Sequence, residues 1–292
     1  MTQFKFFSKE PINKGWSGDK KYCVTDEQGN KFFLRVFLIE QYEQKKSEYE
    51  LMSQTAALGT PMCKPLEFGV SDEGVYSVQT WIDGVDAREV MGTLSDSAQY
   101  TYGFESGRIL RKIHSIATAK IQTDWEIRYN YKIDCTLKKY NDCPLKFENG
   151  EAFVNYINAN RPLLKYRPQV YQHGDFHIGN MMIGNDGKLY IIDFERNDFG
   201  DPWEDMKAIT WDVAVSPIFA SGRINGYFDN NIPDGFWHLL ALYISCGTLG
   251  SLPWAMPFGD EEIETMQNLA KEILSWYDNM RNPVPTWYKG VI

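Results

Sequence analysis

YQHGDFHIGNMMIGNDGKLYIIDFERNDFGDPWED, residues 171–205, is the stretch whose reading decides the fold. Asp175 stands five residues before Asn180 in HGDFHIGN, and Asp193 follows 18 residues after Asp175, at the end of a short apolar run. Between them, Gly184-Asn185-Asp186-Gly187 is a strong turn signal joining two apolar segments, which predicts a β-hairpin. A tight hairpin brings the entry of its first strand close to the exit of its second. Two carboxylates and an amide can then converge, and such oxygen ligands suit a hard cation such as Mg²⁺.

Outward from this stretch, composition sets the bounds. A chain of 292 residues that is 43% hydrophobic and 15% aromatic has ample material for a packed core, in one large domain or two lobes. The opening MTQFKFFSKEPINKG lacks an apolar signal region, and the apolar stretch 236–246 is interrupted by His238 and too short to span a bilayer. A cytoplasmic, unprocessed chain without a membrane partner is expected. Five scattered cysteines without C-x-x-C spacing read as reduced thiols rather than zinc ligands. The net charge of −9 argues against nucleic acid as a partner, and would favour a cationic substrate if the acids cluster.

The N-terminal part reads as β-rich. Residues 20–25 and 31–38 are strand-like around the turn cluster 26–30, a helix is predicted over 41–58, and two more strands over 66–70 and 75–81. Ile82-Asp83-Gly84 breaks this pattern as a linker. Before the first hairpin, Gly15, Ser17 and Gly18 lie in a loop that either covers phosphates with backbone N–H groups or is an ordinary turn. No Walker A or G-x-G-x-x-G motif occurs, which disfavours P-loop and dinucleotide-binding folds. Beyond the linker a long amphipathic helix is predicted over 95–116, with His114 at its end as a packed or capping residue. Residues 119–150 show no clear periodicity and read as a variable connection. Short or long helices are expected over 151–160, 204–215, 235–249 and 260–280, the last N-capped by Asp260. The expected organisation is an α+β, bilobal chain: a small antiparallel β lobe with one helix over residues 1–82, and a larger helical lobe over 83–292 carrying the catalytic hairpin.

Phosphoryl transfer by the kinase route requires a carboxylate at the acceptor hydroxyl, an amide and a second carboxylate on metal, and a cation paired to a helix acid. Asp175 fits the base, Asn180 and Asp193 the Mg²⁺ ligands, and the spacing from Asp175 to Asn180 matches the kinase catalytic loop. Arg35, within the apolar strand, is the expected cation, and Glu48 its helix partner. HGDFHIGN, then IIDFE, then FGDPWEDM resemble the aminoglycoside phosphotransferase and choline kinase-like superfamily of small-molecule kinases, whose fold is similar to that of protein kinases. The resemblance implies ATP or GTP as phosphate donor, adenine held by backbone near Thr80 and Ile82, His173 supporting the loop, His177 facing the phosphates, and Asp205 anchoring the loop from a helix. Many members carry Lys where Arg35 stands; a guanidinium can pair with both a carboxylate and phosphate oxygens in a fork.

The acceptor is expected to be a small molecule, first an aminoglycoside-type antibiotic, with antibiotic resistance as the biological setting. Choline, an amino alcohol, a sugar derivative or a macrolide is the alternative. Glu195 and Asp198 either receive a cationic acceptor or are solvated loop acids. Two other classes stay in view: a hydrolase using His173-x-Asp175-x-His177 on a transition metal, and a kinase-shaped binding protein without catalysis. The state of assembly, monomer or homodimer, is open.

Overall fold

The computed structural model describes residues 5–13, 18–117 and 122–291. In chain order the elements are β1 (Ser8–Pro11), β2 (Lys20–Thr25), β3 (Lys31–Phe37), α1 (Tyr42–Ala57), β4 (Pro65–Ser71), β5 (Gly74–Thr80), β6 (Gly84–Asp86), α2 (Ala87–Val90), α3 (Asp96–Ile113), α4 (Trp125–Asp142), α5 (Glu151–Asn160), β7 (Val170–Gln172), β8 (Met181–Gly184), β9 (Leu189–Ile191), β10 (Asp198–Gly200), α6 (Ile209–Val215), α7 (Pro217–Phe228), α8 (Phe236–Ala255) and α9 (Asp260–Trp276). They fall into two compact units, residues 1–89 with 180–197, and residues 90–179 with 198–292.

The first unit is built on an antiparallel sheet in the order β1-β2-β3-β5-β4. Strand β3, KFFLRVF, is apolar almost throughout because both of its faces are covered. Leu34 and Val36 join Val24, Tyr76 and Val78 in the core. The alternate residues Phe33, Arg35 and Phe37 occupy the other face, where Lys45 of α1 lies 4.7 Å from the Phe37 ring. Helix α1 docks on β4 through Tyr42 and Tyr49, whose rings lie 5.5 and 5.4 Å from that of Phe68.

A second sheet of this unit has the order β6-β8-β9. The hairpin expected from the turn signal is present: Gly187 N–H donates to the Gly184 carbonyl at 2.8 Å, and Gly187 has φ 75°, where a side chain would be strained. Gly84, the last residue of the segment read as a linker, instead opens strand β6, which pairs antiparallel to β8. Gly84 permits that pairing, since a Cβ there would land on the carbonyl of Ile183. Met62 also bridges to Ile191, so the hairpin belongs with the first unit and not with residues beyond an 82/83 boundary. The physical cause is backbone pairing to residues far away in sequence, which no local pattern reports.

The second unit is mainly helical. Helices α3 and α7 cross at glycines: a Cβ on Gly103 or Gly107 would strike α7 backbone, and one on Gly222 or Gly226 would strike α3 backbone. Residues 119–150, read as a connection, contain the 18-residue helix α4. Its buried residues Trp125, Tyr129, Ile133 and Tyr140 do follow helical spacing, but the aromatic and lysine-rich composition between them conceals it. Helix α8 continues to Ala255 with Pro253 inside it, past the predicted end. Residues 236–258 are therefore long and apolar enough to cross a bilayer by length and composition, contrary to the expectation, yet 67% of the apolar 18-residue stretch within them is buried in the protein. α8 packs against α4, α5 and α9, which accounts for its apolar surface as core. Asp260 is the first helical residue of α9, and Gly259 (φ 100°) takes the capping position.

Candidate active site

In the first unit, the cation predicted at Arg35 is present but differently partnered. Arg35 is 4% exposed. Its Nε and Nη2 reach Asp19 Oδ2 at 2.8 and 2.7 Å, Nη2 reaches Glu195 Oε2 at 2.5 Å, and Nη1 stands 3.7 Å from Asp193 Oδ1. Burial would weaken the charged form, but Glu195, Asp19 and Asp193 outweigh it and hold the guanidinium pKa above its ordinary value. Glu48 does not take the expected place beside Arg35. It accepts from Lys45 Nζ at 2.8 Å and from Gln44 at 2.8 Å, and Lys45 also reaches Glu195 Oε1 at 3.4 Å. Glu195 thus stands between Arg35 and Lys45, and the helix acid joins the strand cation through it. The reason is one of reach: Lys45, one turn before Glu48 on α1, fills the intervening space. Lys45 carries little sequence signal, because a Lys-Lys pair in a helix ordinarily marks a solvated face.

This arrangement also removes Glu195 as a receiver of a cationic acceptor, since both of its oxygens are committed. Burial, only partly offset by Arg35 and Lys45, raises its pKa. Asp193 follows β9 with φ 64°, the left-handed region, and its side chain remains 42% exposed. That conformation turns the carboxylate out of the strand direction and leaves it accessible. The Asn180 carbonyl accepts the Ile192 N–H at 3.0 Å, tying the start of the hairpin to its end. Thr80 is the last residue of β5; its N–H donates to the Lys64 carbonyl at 2.9 Å and its hydroxyl accepts the Lys64 N–H at 2.9 Å. The Thr80 amide is therefore spent within the fold, and among the two backbone positions expected to meet adenine, only the half-buried Ile82 lies past the strand end. Gly15 and Ser17 lie outside the described residues. Gly18 lies in a bend next to Asp19, and a Cβ there would meet nothing within 4 Å.

In the second unit, the loop after β7 carries His173, Asp175 and His177. Asp205, in the 3-10 turn Glu204–Ala208, accepts the His173 N–H at 2.7 Å and the Gly174 N–H at 2.8 Å. His114 supports it from the end of α3: Nε2 lies 3.2 Å from Asp205 Oδ2, and Nδ1 lies 2.9 Å from the Tyr227 hydroxyl. This places Nε2–H on the carboxylate and the tyrosine O–H on Nδ1. Burial would raise the Asp205 pKa, but His114, His173 and Lys207 outweigh it and hold the carboxyl below its ordinary range. Asp205 is thus a loop anchor. His114 does more than cap: it completes the anchor.

Asp175 donates its N–H to His173 Nδ1 at 3.3 Å, while its carbonyl accepts the His177 N–H at 3.1 Å. Its side chain is 23% exposed, and Oδ1 is 3.6 Å from His177 Nε2. His177 Nδ1 accepts the Gly179 N–H at 3.1 Å, so the neutral ring carries its proton on Nε2, toward Asp175. His173 is fully buried and edge-on to Phe176, with ring centroids 5.5 Å apart. His173, Asp175 and His177 therefore do not converge as a ligand set. Among the described residues, no group of three or more His, Cys, Asp or Glu side chains could hold a metal ion. The ligand set that the hydrolase alternative needs is therefore not assembled among the described residues. Asp198, the second acid weighed for an acceptor, opens β10, pairs with Arg128 at 2.8 Å and is 59% exposed, a solvated acid.

Two residues without a place in the motif also touch this loop. Asp212 of α6 accepts the Ile178 N–H at 2.7 Å, and Arg223 of α7 donates to the Phe176 carbonyl at 3.0 Å. A charged residue at an interior helix position, Asp212 in ITWDVAV and Arg223 in ASGRING, is the signal that could have revealed them.

Comparison with known proteins bears on the whole arrangement. The model of the phosphotransferase enzyme family (APH) matches residues 9–236. No curated protein sequence matches the chain. Among solved structures, a variant of aminoglycoside 2'-phosphotransferase-IIIa in complex with GDP is similar with a TM-score of 0.70 at 15% identity, covering 96% of this chain and 95% of that one. A choline/ethanolamine kinase family protein from Mesorhizobium loti gives 0.67 at 16%, covering 94% and 91%. A thermostable variant of aminoglycoside phosphotransferase APH(4)-Ia, in ternary complex with AMP-PNP and hygromycin B, gives 0.65 at 15%, covering 93% and 94%. These likenesses establish the kinase-like α+β fold expected from the sequence.

Proposed function

We propose that this chain, which belongs to the phosphotransferase enzyme family, transfers the γ-phosphoryl group of ATP or GTP to a hydroxyl of a small-molecule acceptor, with Asp175 as the base. The observation that carries the reading is Asp175 itself, a carboxylate 23% exposed on a loop whose preceding backbone is pinned by Asp205. A general base must be both reachable and fixed, and this one is both. Asn180 and Asp193 supply oxygens that suit Mg²⁺, and Asp193 keeps its carboxylate accessible in the left-handed turn after β9. The bound metal and nucleotide supply the phosphoryl group and neutralise charge on its oxygens. Arg35 holds Asp193 and Glu195 in place from the strand, and Lys45 holds Glu195 from the helix.

For the acceptor, an aminoglycoside-type antibiotic is the first reading, supported by the fold likeness to two aminoglycoside phosphotransferases. Choline or ethanolamine is the second, supported by the likeness to a choline/ethanolamine kinase family protein. Release of nucleoside diphosphate, screened over aminoglycosides, choline, ethanolamine, macrolides and sugar amines, separates them. Mg²⁺-dependent thermal stabilisation by ATP or GTP should disappear in Asp193→Ala. Asp175→Asn should keep that stabilisation and lose turnover by about 10²-fold or more. Undiminished turnover in Asp175→Asn would overturn the role given to the base.

A further inference from the structure

Asp205 grips the catalytic loop at His173 and Gly174, before the base. A second attachment lies beyond it. Asp212, on α6, accepts the Ile178 N–H on Oδ1 at 2.7 Å and pairs through its other oxygen with Arg223. Arg223 Nη1 also donates to the Phe176 carbonyl at 3.0 Å, and its Nε donates to Ser106 Oγ of α3 at 3.1 Å. The guanidinium carbon lies 4.9 Å from the centroid of the Phe176 ring and 5.1 Å from that of Phe219. Both members of the pair are fully buried. The two peptide groups they hold, Phe176 C=O and Ile178 N–H, flank His177. The ring of His177 in turn lies against Gly179, where a Cβ would stand 2.8 Å from Cε1.

A buried ion pair is a costly way to fill space, and apolar residues of similar volume often stabilise as well or better. At Asp212, burial outweighs the attraction of Arg223 and pushes the carboxyl up to about 6. What an apolar pair cannot do is accept one peptide N–H and donate to one peptide carbonyl at set positions. We infer that the Asp212–Arg223 pair is a positioning element for phosphoryl transfer: it fixes the peptide groups on either side of His177, and so the placing of His177 Nε2 against the Asp175 carboxylate, 3.6 Å apart. The catalytic consequence rests on the kinase reading above; the tether itself does not.

The test is the double substitution Asp212→Leu with Arg223→Met in the full chain, which removes both charges and strands neither. Two quantities are read: amide hydrogen exchange over residues 173–180, and kcat and nucleotide KM. Exchange in this segment should rise by about tenfold or more while protection in α3 and α9 is retained. Turnover should fall by about 10²-fold, as for a misplaced reacting group, with nucleotide KM changed by less than about threefold. A folded double variant whose loop exchanges like the parent protein overturns the tether, whatever its activity. Faster exchange with unchanged kcat overturns the positioning role. If the double variant does not fold, Arg223→Lys retains a cation for Asp212 but lacks the fork that reaches both Ser106 and Phe176. It should raise exchange at 176–178 and lower kcat by about tenfold; no change in either overturns the proposal. Faster loop exchange in variants of a protein whose parent form transfers no phosphoryl group to any acceptor or to water sinks the kinase reading and the catalytic role resting on it, while the tether stands.

Discussion

Replacing Arg35 by methionine would leave Asp19, Asp193 and Glu195 without their shared cation, and Asp19 and Glu195 are only 8% and 20% exposed. Removing one partner from a buried cluster of this kind costs about 3–5 kcal/mol. Glu48→Gln should cost about 1 kcal/mol, because Lys45 keeps Glu195 as a partner. Urea unfolding of the two variants checks this order; equal losses would point to a direct Arg35–Glu48 pair. At this scale the side chains proposed to carry the chemistry, Asp175, Asn180, Asp193 and Arg35, stand in patterns visible in the sequence, because a reaction demands particular groups at particular spacings. Their partners do not, because Glu195 meets Lys45 across 150 residues of chain and Asp205 meets His114 across 91.

The crossing of α3 and α7 shows what elements contribute. Gly107 and Gly226 let the two backbones approach so closely that Arg223 on α7 meets Ser106 on α3, and the loop tether depends on that approach. Gly226→Ala should therefore destabilise by about 3 kcal/mol through overpacking, although alanine is the better helix former. Gly247→Ala in α8, where a Cβ meets nothing within 4 Å, should stabilise by about 1 kcal/mol. Thermal unfolding of the pair of variants tests both signs. Elements with strong alternation or clear turn chemistry, β2, β3, β5 and the β8–β9 hairpin, lay where the pattern placed them. α4 and β6 did not: the buried side of α4 is built from Trp and Tyr among lysines, and β6 is only three residues long and held by backbone pairing to β8.

For the molecule as a whole, net charge −9 says little about where acids matter. Glu204 is an informative one. Burial would raise its pKa, but Lys207 and Lys132 outweigh that and hold it at about 2 against an ordinary 4.5. A carboxyl depressed by folding adds stability that is fully present above its unfolded value and is lost as pH falls through its folded one. Glu204 should contribute about 3 kcal/mol at neutral pH, fading between pH 4.5 and about 2. Melting temperatures measured over pH 3–6 should fall less steeply in Glu204→Gln than in the parent protein; identical slopes would refute the assignment. Assembly of the units likewise escaped local reading, because the hairpin 180–197 joins residues 1–89 across a long sequence separation. By itself the sequence determined the phosphotransferase class and most of the regular elements, and it supplied the residues proposed as base and metal ligands, since spacing, turn chemistry and periodicity are local properties of a chain. Only the tertiary structure decided that Glu195 stands between Arg35 and Lys45, and that Asp212 and Arg223 hold the loop just beyond Asp175. Ion pairing in a buried setting is chosen by reach and desolvation in three dimensions, and neither is written in the order of residues.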